Sequence, residues 1–263
     1  MTGKVVFHLP KQFLNDYHDR PHLAIFQRIQ SEIESRGGEV EVRRRHETLR
    51  DDTRGDWSDV LEGNNLHIIE NGTVTQDNAL NAALAYLPPY FHLHQGGVLA
   101  RSPAQNVRFD PDGVNPVLAE AFVSVLRHRL VGNRRTRYGP KKEFTEIPDG
   151  CIAVFLQGDN PHHQGTSHCD TETLLRTVAA GARGRKVIVK AHPNSRQLQD
   201  AQLIHRLLQD GVSLIATDAN IHDILTRCVA TVSFNSAVSM EGFLHEKPAI
   251  LFGEADFSHV AET

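Results

Sequence analysis

The sequence predicts an α/β protein of two doubly wound domains in tandem. Three observations carry this. Short apolar runs rich in Val and Ile alternate with amphipathic stretches at helical spacing. The alternation runs through the chain once and restarts near Ile147, after a basic stretch broken by Gly132, Gly139 and Pro140. Two of the later runs, 186–190 and 229–233, break off in small polar turns, as parallel strands do at the ligand-bearing edge of an open sheet.

In the first half, residues 4–9 read as a strand ending at Pro10. Leu23, Phe26, Ile29 and Ile33 fall on one face of a helix over 21–36, and Gly37-Gly38 stops it. Residues 39–42 alternate as a second strand. Strand, helix, glycine stop and strand form a βαβ unit, so the sheet is parallel with right-handed crossovers. Residues 66–69 are a further strand, and 77–87 read as a helix ended by Pro88-Pro89. Residues 90–93 are a strand leading into the turn His94-Gln95-Gly96-Gly97. After a turn-rich loop over 109–115, residues 116–130 form a helix with Leu118, Phe122, Val125 and Leu126 on one side. The first domain is thus expected over 1–132 and a basic linker over 133–146.

The second domain, 147–263, opens with a buried strand over 151–156 that ends in the polar loop Gln157-Gly158-Asp159-Asn160-Pro161. A helix over 171–181 turns Leu174, Leu175 and Val178 inward. Residues 186–190 are a strand, 198–209 a helix stopped by Gly211, and 212–216 a strand. A short helix over 221–227, a strand over 229–233, a helix from 237 and a last strand over 248–252, closed by Gly253, complete the pattern.

Bulk composition narrows the function classes. Apolar residues make up 40% and charged residues 23% of the 263, the balance of an ordinary soluble globular protein. A net charge of −4 gives no global basic field for nucleic acid, although protonating the sixteen His below about pH 6.5 reverses the sign. Cys151, Cys169 and Cys228 lie far apart with no CxxC, which suits reduced thiols in a cytosol. The sequence opens directly into a strand, with no signal peptide and no apolar run long enough to span a bilayer. Residues 127–142 hold seven Lys and Arg, which reads as a solvated connector or as a basic patch for anionic lipid or an acidic acceptor.

The residues that can carry chemistry gather at the two polar turns. Pro193 keeps His192 extended at a strand tip, where its imidazole can donate to a phosphate oxygen with Lys190 as a second cation. On the dipeptide alone, His192 is an ordinary turn residue. In Ser233-Phe234-Asn235-Ser236, either Asn235 or Ser236 caps the helix from Ala237. A helix N-terminus with spare hydroxyl and amide donors is an anion site. Glu241, one turn in, is either a dipole-compensating carboxylate or an acceptor for ribose hydroxyls. His162, His163, His168 and Cys169 fit no common zinc spacing and read as a polar loop. No nucleophile elbow, Walker loop or GxGxxG occurs.

Taken in order, Lys190-Ala191-His192-Pro193, the stretch from Ser233 to Leu244 and Lys247-Pro248-Ala249-Ile250-Leu251-Phe252-Gly253 resemble the bacterial capsule polysaccharide biosynthesis family, which includes β-Kdo transferases. Gln157 resembles the family's glutamine at the end of the domain's first strand. In the first half, Gly97-Val98-Leu99-Ala100-Arg101-Ser102 and the segment from Phe109 to Val114 are similar to the family's Gly-Phe-Leu-Arg-Ser and Asp-x-x-Gly segments. Where the family carries an acidic pair before the glycine, this chain has His94, Gln95 and Gly96.

The resemblance implies a GT-B glycosyltransferase with two Rossmann-like domains and a cleft between them. It implies a nucleotide-sugar donor as co-substrate, most simply CMP-Kdo or a related CMP-activated sugar, and a glycan or glycolipid acceptor. His192 and Ser236 would hold the donor phosphate and Glu241 the ribose, with Gln157, Lys190, Pro193 and Asn235 completing the donor site. Asp110 or Asp112 would serve as the carboxylate acting on the sugar. No metal or cofactor is called for, because a His and a helix terminus can neutralise the leaving phosphate. The expected location is the cytoplasm, with peripheral contact to the inner membrane through the basic linker. A CDP-glycerol-type transferase, a UDP-sugar epimerase and a non-catalytic glycan-binding scaffold share parts of the pattern. GT-B chains commonly continue past the last strand with a helix that crosses back, so the chain reads as a compact variant or a shortened one.

Overall fold

A computed structural model describes residues 3–51, 57, 59–135, 143–192 and 197–263. The chain separates into two compact units, Met1–Val107 and Arg108–Thr263.

The first unit is built on a five-stranded sheet in the order β2-β1-β3-β4-β5. Its strands are β1 (Val5–Leu9), β2 (Val40–Arg44), β3 (Leu66–Glu70), β4 (Ala79–Leu84) and β5 (Phe91–His94). All neighbours run parallel except β4 and β5. β1 is central, and Val6, Phe7 and Leu9 are wholly buried. Helix α1 (Ala24–Ser35) crosses from β1 to β2 and lays Phe26 edge-on against Phe7, with ring centroids 5.2 Å apart. The short helix α2 (Thr48–Asp51) brings Leu49 to the other face, where it joins Trp57, Leu61 and Ile69.

One element departs from the sequence reading. Residues 77–87, expected as a helix, contain strand β4. Ala and Leu favour helix in isolation, but this window is paired on both sides, to β3 and to β5. Asn81 fixes the choice. It is fully buried, accepts from Val74 N–H at 3.1 Å, and donates to the carbonyls of Val74, His94 and Gln95 at 2.7, 3.2 and 3.1 Å.

The second unit holds β6 (Cys151–Phe155), β7 (Val187–Lys190), β8 (Ile215–Ala216), β9 (Cys228–Ser233) and β10 (Ala249–Leu251) in the order β10-β9-β6-β7-β8. Every pair is parallel. The chain builds outward from β6 to β8, then returns to the other side of β6 for β9 and β10. That is the Rossmann strand order, and its direction reverses between β6 and β9. β8 is shorter than the strand expected over 212–216. Val154 and Leu156 face a core formed with α5 (Thr171–Gly181) and α6 (Gln197–Gln209), including Leu174, Leu175 and Leu207. Ala153 and Phe155 face the opposite core with α7 (Ile221–Arg227), including Ile224 and Leu225. Cys151 and Cys228 lie fully inside, and burial pushes the Cys228 thiol up to about 12, so these sulfurs are inert packing.

Helix α3 (Pro116–Leu126) groups with this second unit, although the sequence reading placed it in the first domain. It starts as its sequence directs, with Pro116 at the first turn and the Asn115 side chain accepting from Val117 and Leu118 N–H. A π-helical turn follows over Arg127–Val131. The reason for the grouping lies in Arg127 of that turn and Arg134 just after it. Arg127 donates to Leu244 O and to Glu246 Oε1, each at 2.7 Å, and Arg134 pairs with Asp223 at 3.0 Å. Both anchors lie far along the sequence, where local pattern has no view of them. Residues 136–142 of the expected basic linker, including Arg137, Lys141 and Lys142, lie outside the described residues.

Candidate functional site

The site forms where β6, β7 and β9 end. β6 runs out into Gln157, β7 into Lys190 and His192, and β9 into Ser233 and the start of α8 (Ala237–Leu244). Gln157 and Asn235 lie across the point where the strand order reverses. Gln157 Nε2 donates to Asn235 Oδ1 at 2.8 Å, and the Asn235 backbone N–H donates to Gln157 Oε1 at 3.0 Å. The other half of the Asn235 amide donates to Thr166 Oγ1 at 3.1 Å and Glu254 O at 2.9 Å. Thr166 is fully buried, and the chain from β10 must pass tightly over it. A Cβ on Gly253 would stand 2.5 Å from Thr166 O, so only glycine fits there.

This clamp leaves the start of α8 well ordered. The sequence left its cap open between Asn235 and Ser236, and the structure chooses Ser236, whose Oγ accepts from Val238 N–H at 3.2 Å. Ser236 N–H donates to Ser233 Oγ at 3.1 Å, and Ser233 Oγ meets Ser239 Oγ at 3.1 Å. Hydroxyls and amide hydrogens therefore crowd the positive end of a helix at the carboxyl edge of the sheet, the arrangement that receives an anion.

Lys190 and His192 sit at the neighbouring strand tip, both partly buried. Lys190 Nζ donates to Asp218 O at 3.0 Å, which fixes the ammonium at the end of β7. Pro193 lies outside the described residues. Glu241 is 8% exposed, and its Oε2 has no hydrogen-bond partner among the described residues. Burial raises its carboxyl to about 8, so it is largely protonated at neutral pH, a proton donor as well as an acceptor. A dipole-compensating surface role does not fit a carboxyl this deep.

The two aspartates sit apart from this edge in kind. Asp110 Oδ1 accepts from Asp112 N–H at 3.1 Å, both residues are exposed, and the pair forms a local turn at the start of the second unit. Phe109 meets the His259 ring at 6.2 Å, which fastens the base of that turn to the segment following β10. At the position of the family's acidic pair, His94 Nδ1 accepts from Gly96 N–H at 2.9 Å and Gln95 Nε2 donates to Asp77 Oδ1 at 3.3 Å. His162, on the one-turn helix α4 (Asn160–His163) where the sequence reading had a polar loop, contacts Ser167 Oγ and Thr171 Oγ1 at 2.7 and 3.2 Å, and no three His, Cys, Asp or Glu side chains gather as metal ligands among the described residues. Beyond Asp159 an open groove of about 750 Å³ runs past His162, Asp170, Glu172, Asp200 and Arg206.

Thr166, Glu254 and Asp218 are the members of the site that the sequence reading missed. Two of them act through backbone carbonyls, which carry no residue signature. Thr166 follows the His162-His163 loop with only Gly165 to mark a turn.

Two Rossmann-like units with a ligand-type edge on the second define a class of α/β protein known in solved structures. The chain is similar to Thermosulfurimonas dismutans KpsC, beta Kdo 2,7 transferase, at 11% identity, over 99% of this chain and 82% of that one, with a TM-score of 0.59. It is also similar to Thermosulfurimonas dismutans KpsC, beta Kdo 2,4 transferase, at 14% identity, over 98% of this chain and 82% of that one, with a TM-score of 0.58. At such identities the likeness establishes the fold. No curated protein matches the sequence. Within the second unit, residues 158–261 match the family model described as "Capsule polysaccharide biosynthesis protein". The match agrees with the resemblance read from the motifs, and the matched span holds Lys190, His192, Asn235, Ser236 and Glu241.

Proposed function

We propose that the chain is a nucleotide-sugar-dependent glycosyltransferase of capsule or surface polysaccharide synthesis. It transfers Kdo or a similar sugar from a CMP-activated donor to a glycan or glycolipid acceptor. The observation that carries this reading is the Gln157–Asn235 clamp, which holds the Ser236-capped start of α8 at the strand-order reversal, with Lys190 and His192 at the tip of β7 on the other side of β6. Anionic nucleotides bind open α/β sheets at such a point. The family match over residues 158–261 supports the same class.

In this reading the donor phosphate lies against the α8 terminus, with Ser236, Lys190 and His192 around it. The ribose hydroxyls meet Glu241, whose buried Oε2 supplies the acceptor they need. As the sugar leaves, negative charge grows on the phosphate. Donors already aimed at that position stabilise it without reorganising, which is where most of the catalytic effect would come from. Asp110 or Asp112 is proposed as the carboxylate acting on the sugar or its acceptor.

The test is a thermal-shift screen of CMP, CDP, UDP and GDP on the wild type and on His192→Ala. A nucleotide at a hundred times its Kd stabilises by about 2.7 kcal/mol. The expected result is a shift with CMP that His192→Ala abolishes, followed by transfer from CMP-sugars. Selective binding of CDP or UDP would move the donor to another nucleotide, and binding of none would overturn the donor site.

A further inference from the structure

A buried histidine and a half-buried one fasten part of the second unit that apolar packing does not hold. His222, in the first turn of α7, is 4% exposed, and its Nε2 lies 3.0 Å from the carbonyl oxygen of Arg135. Its Nδ1 lies 3.0 Å from Nε2 of His245, the residue that ends α8. A carbonyl only accepts, so His222 carries its proton on Nε2 and leaves Nδ1 bare. His245 then donates from Nε2, and its own Nδ1 is bare. The hydrogen bonds run in one direction, from His245 to His222 to Arg135 O. A proton added to His222 Nδ1 sets two N–H groups face to face. One added to His245 Nδ1 keeps the bond but places a cation in a half-buried site.

The surroundings oppose both. Asp223 on α7 already meets both terminal nitrogens of Arg134, at 3.0 and 3.1 Å, and accepts from Thr145 N–H at 3.2 Å. Beyond α8, Glu246 is bound to Arg127 at 2.7 Å. Glu241, one turn before His245, is kept largely protonated by burial. Burial, and then His222, Lys247 and Arg127, push His245 down to about 4, and burial lowers His222, with Arg134 adding to it. His128, Arg129, Glu143 and Glu146 are exposed.

What the pair holds is otherwise lightly attached. None of residues 131–135 and 143–145 is buried, whereas Leu130 and Ile147 beyond their outer ends are. Polar contacts therefore fix these two stretches: His222 to Arg135, Arg134 to Asp223 and to Glu143 O, and Thr145 to Asp223. Stretches with few buried contacts are the ones that open locally.

We propose that His222 and His245 form a pH-sensitive latch: as neutral rings they hold residues 131–135 and 143–145 onto α7 and the end of α8, and on protonation they release them while the sheet stays folded. Solvated histidine takes up its proton near 6.5, so the released form binds more protons between 6.5 and 4. The latch is closed above pH 6.5 and opens as pH falls toward 4, by up to about tenfold per pH unit for each proton gained. The inference is independent of the donor-site reading.

The test is amide hydrogen exchange of the full chain, followed by mass spectrometry between about pH 7 and pH 4.5 and corrected for the intrinsic effect of pH. In the closed form Arg134 and Arg135 N–H are bonded to the carbonyls of Val131 and Leu130, and Thr145 N–H to Asp223. The wild type should lose roughly tenfold or more of its protection at these amides in acid, while those of β6 stay protected. His245→Gln presents an amide that can donate to a bare His222 Nδ1 or accept from a protonated one, so protection should largely persist at pH 4.5. His222→Leu leaves Arg135 O without this donor, and both stretches should exchange freely at either pH. Unchanged protection in the wild type would overturn the proposal. So would loss in β6 in step with the two stretches, which is global unfolding, or a His245→Gln profile identical to the wild type.

Discussion

Gln157 and Asn235 stand 78 residues apart and close on each other through two reciprocal hydrogen bonds, of 2.8 and 3.0 Å. The pair ties the first strand of the second unit to the turn after its fourth, at the point where the sheet reverses its order. Asn235 uses its whole side-chain amide in this, giving to Thr166 and Glu254 what it does not share with Gln157.

Asn235→Ala should therefore be costly. It leaves the Gln157 amide, the Thr166 hydroxyl and the Glu254 carbonyl short of partners in partly or fully buried positions. Several hydrogen bonds lost together predict about 2–4 kcal/mol of destabilisation, read from the urea midpoint. Gln157→Ala removes fewer bonds and should cost less, with nucleotide binding weakened in both.

Ser236 separates capping from anion binding. Ser236→Ala loses the bond from Val238 N–H and should cost about 1 kcal/mol. Ser236→Asp keeps a side-chain acceptor for that bond and complements the helix dipole, so the melting temperature should hold. It also sets a negative charge where the donor phosphate is proposed to lie. Nucleotide affinity should fall by roughly tenfold or more, while Ser236→Asn should retain both properties.

How much of this was legible follows from the kind of contact. The strand tips at Lys190 and Ser233 were readable because an apolar run that stops in small polar residues is itself a local pattern. Ser236 was readable as a cap for the same reason. Strand β4 was not, because Ala79, Ala82, Ala83 and Leu84 favour helix locally and only pairing to β3 and β5 overrides them. The place of α3 was hidden in Arg127 and Arg134, whose partners lie about a hundred residues away. Sequence set Leu118, Phe122, Val125 and Leu126 on one side, whereas the structure buries Leu126 and leaves the other three exposed.

Glu241 gives a pH signature. Its ordinary value is 4.5 and burial raises it to about 8 in the fold. The folded state thus holds a proton that the unfolded chain releases between these values, so this residue lowers stability as pH rises from 4.5 to 8. The slope is at most about 1.4 kcal/mol per pH unit. Glu241→Gln carries no such penalty. Its stability relative to wild type should be nearly flat below pH 4.5 and grow steadily to pH 8. A difference that does not change with pH would mean that Glu241 is ionised in the fold. Bound nucleotide should also narrow the difference, if ribose hydroxyls partner Oε2.

The first unit should be acid-labile through His8. Its Nε2 lies 2.9 Å from His67 Nδ1 in the core, on the adjacent parallel strand, and one proton serves both atoms. Burial, and then the neighbouring His67, push His8 down to about 4, and burial lowers His67 as well. Unfolded histidine takes up its proton near 6.5, so the unfolded chain binds more protons between 6.5 and 4. The stability contributed by the neutral pair is present above pH 6.5 and lost as pH falls to 4, by up to about 1.4 kcal/mol per unit for each site. Replacing His8 and His67 together by Leu removes both partners at once, so neither is left unpaired. This double variant should match the wild type in urea at pH 7 and exceed it at pH 4.5. Some acid sensitivity should survive in it, because the second unit has a similar pair. His222 Nδ1 lies 3.0 Å from His245 Nε2, and burial pushes His245 down to about 4. Equal loss of stability in the double variant and the wild type would place the acid transition in that second pair alone.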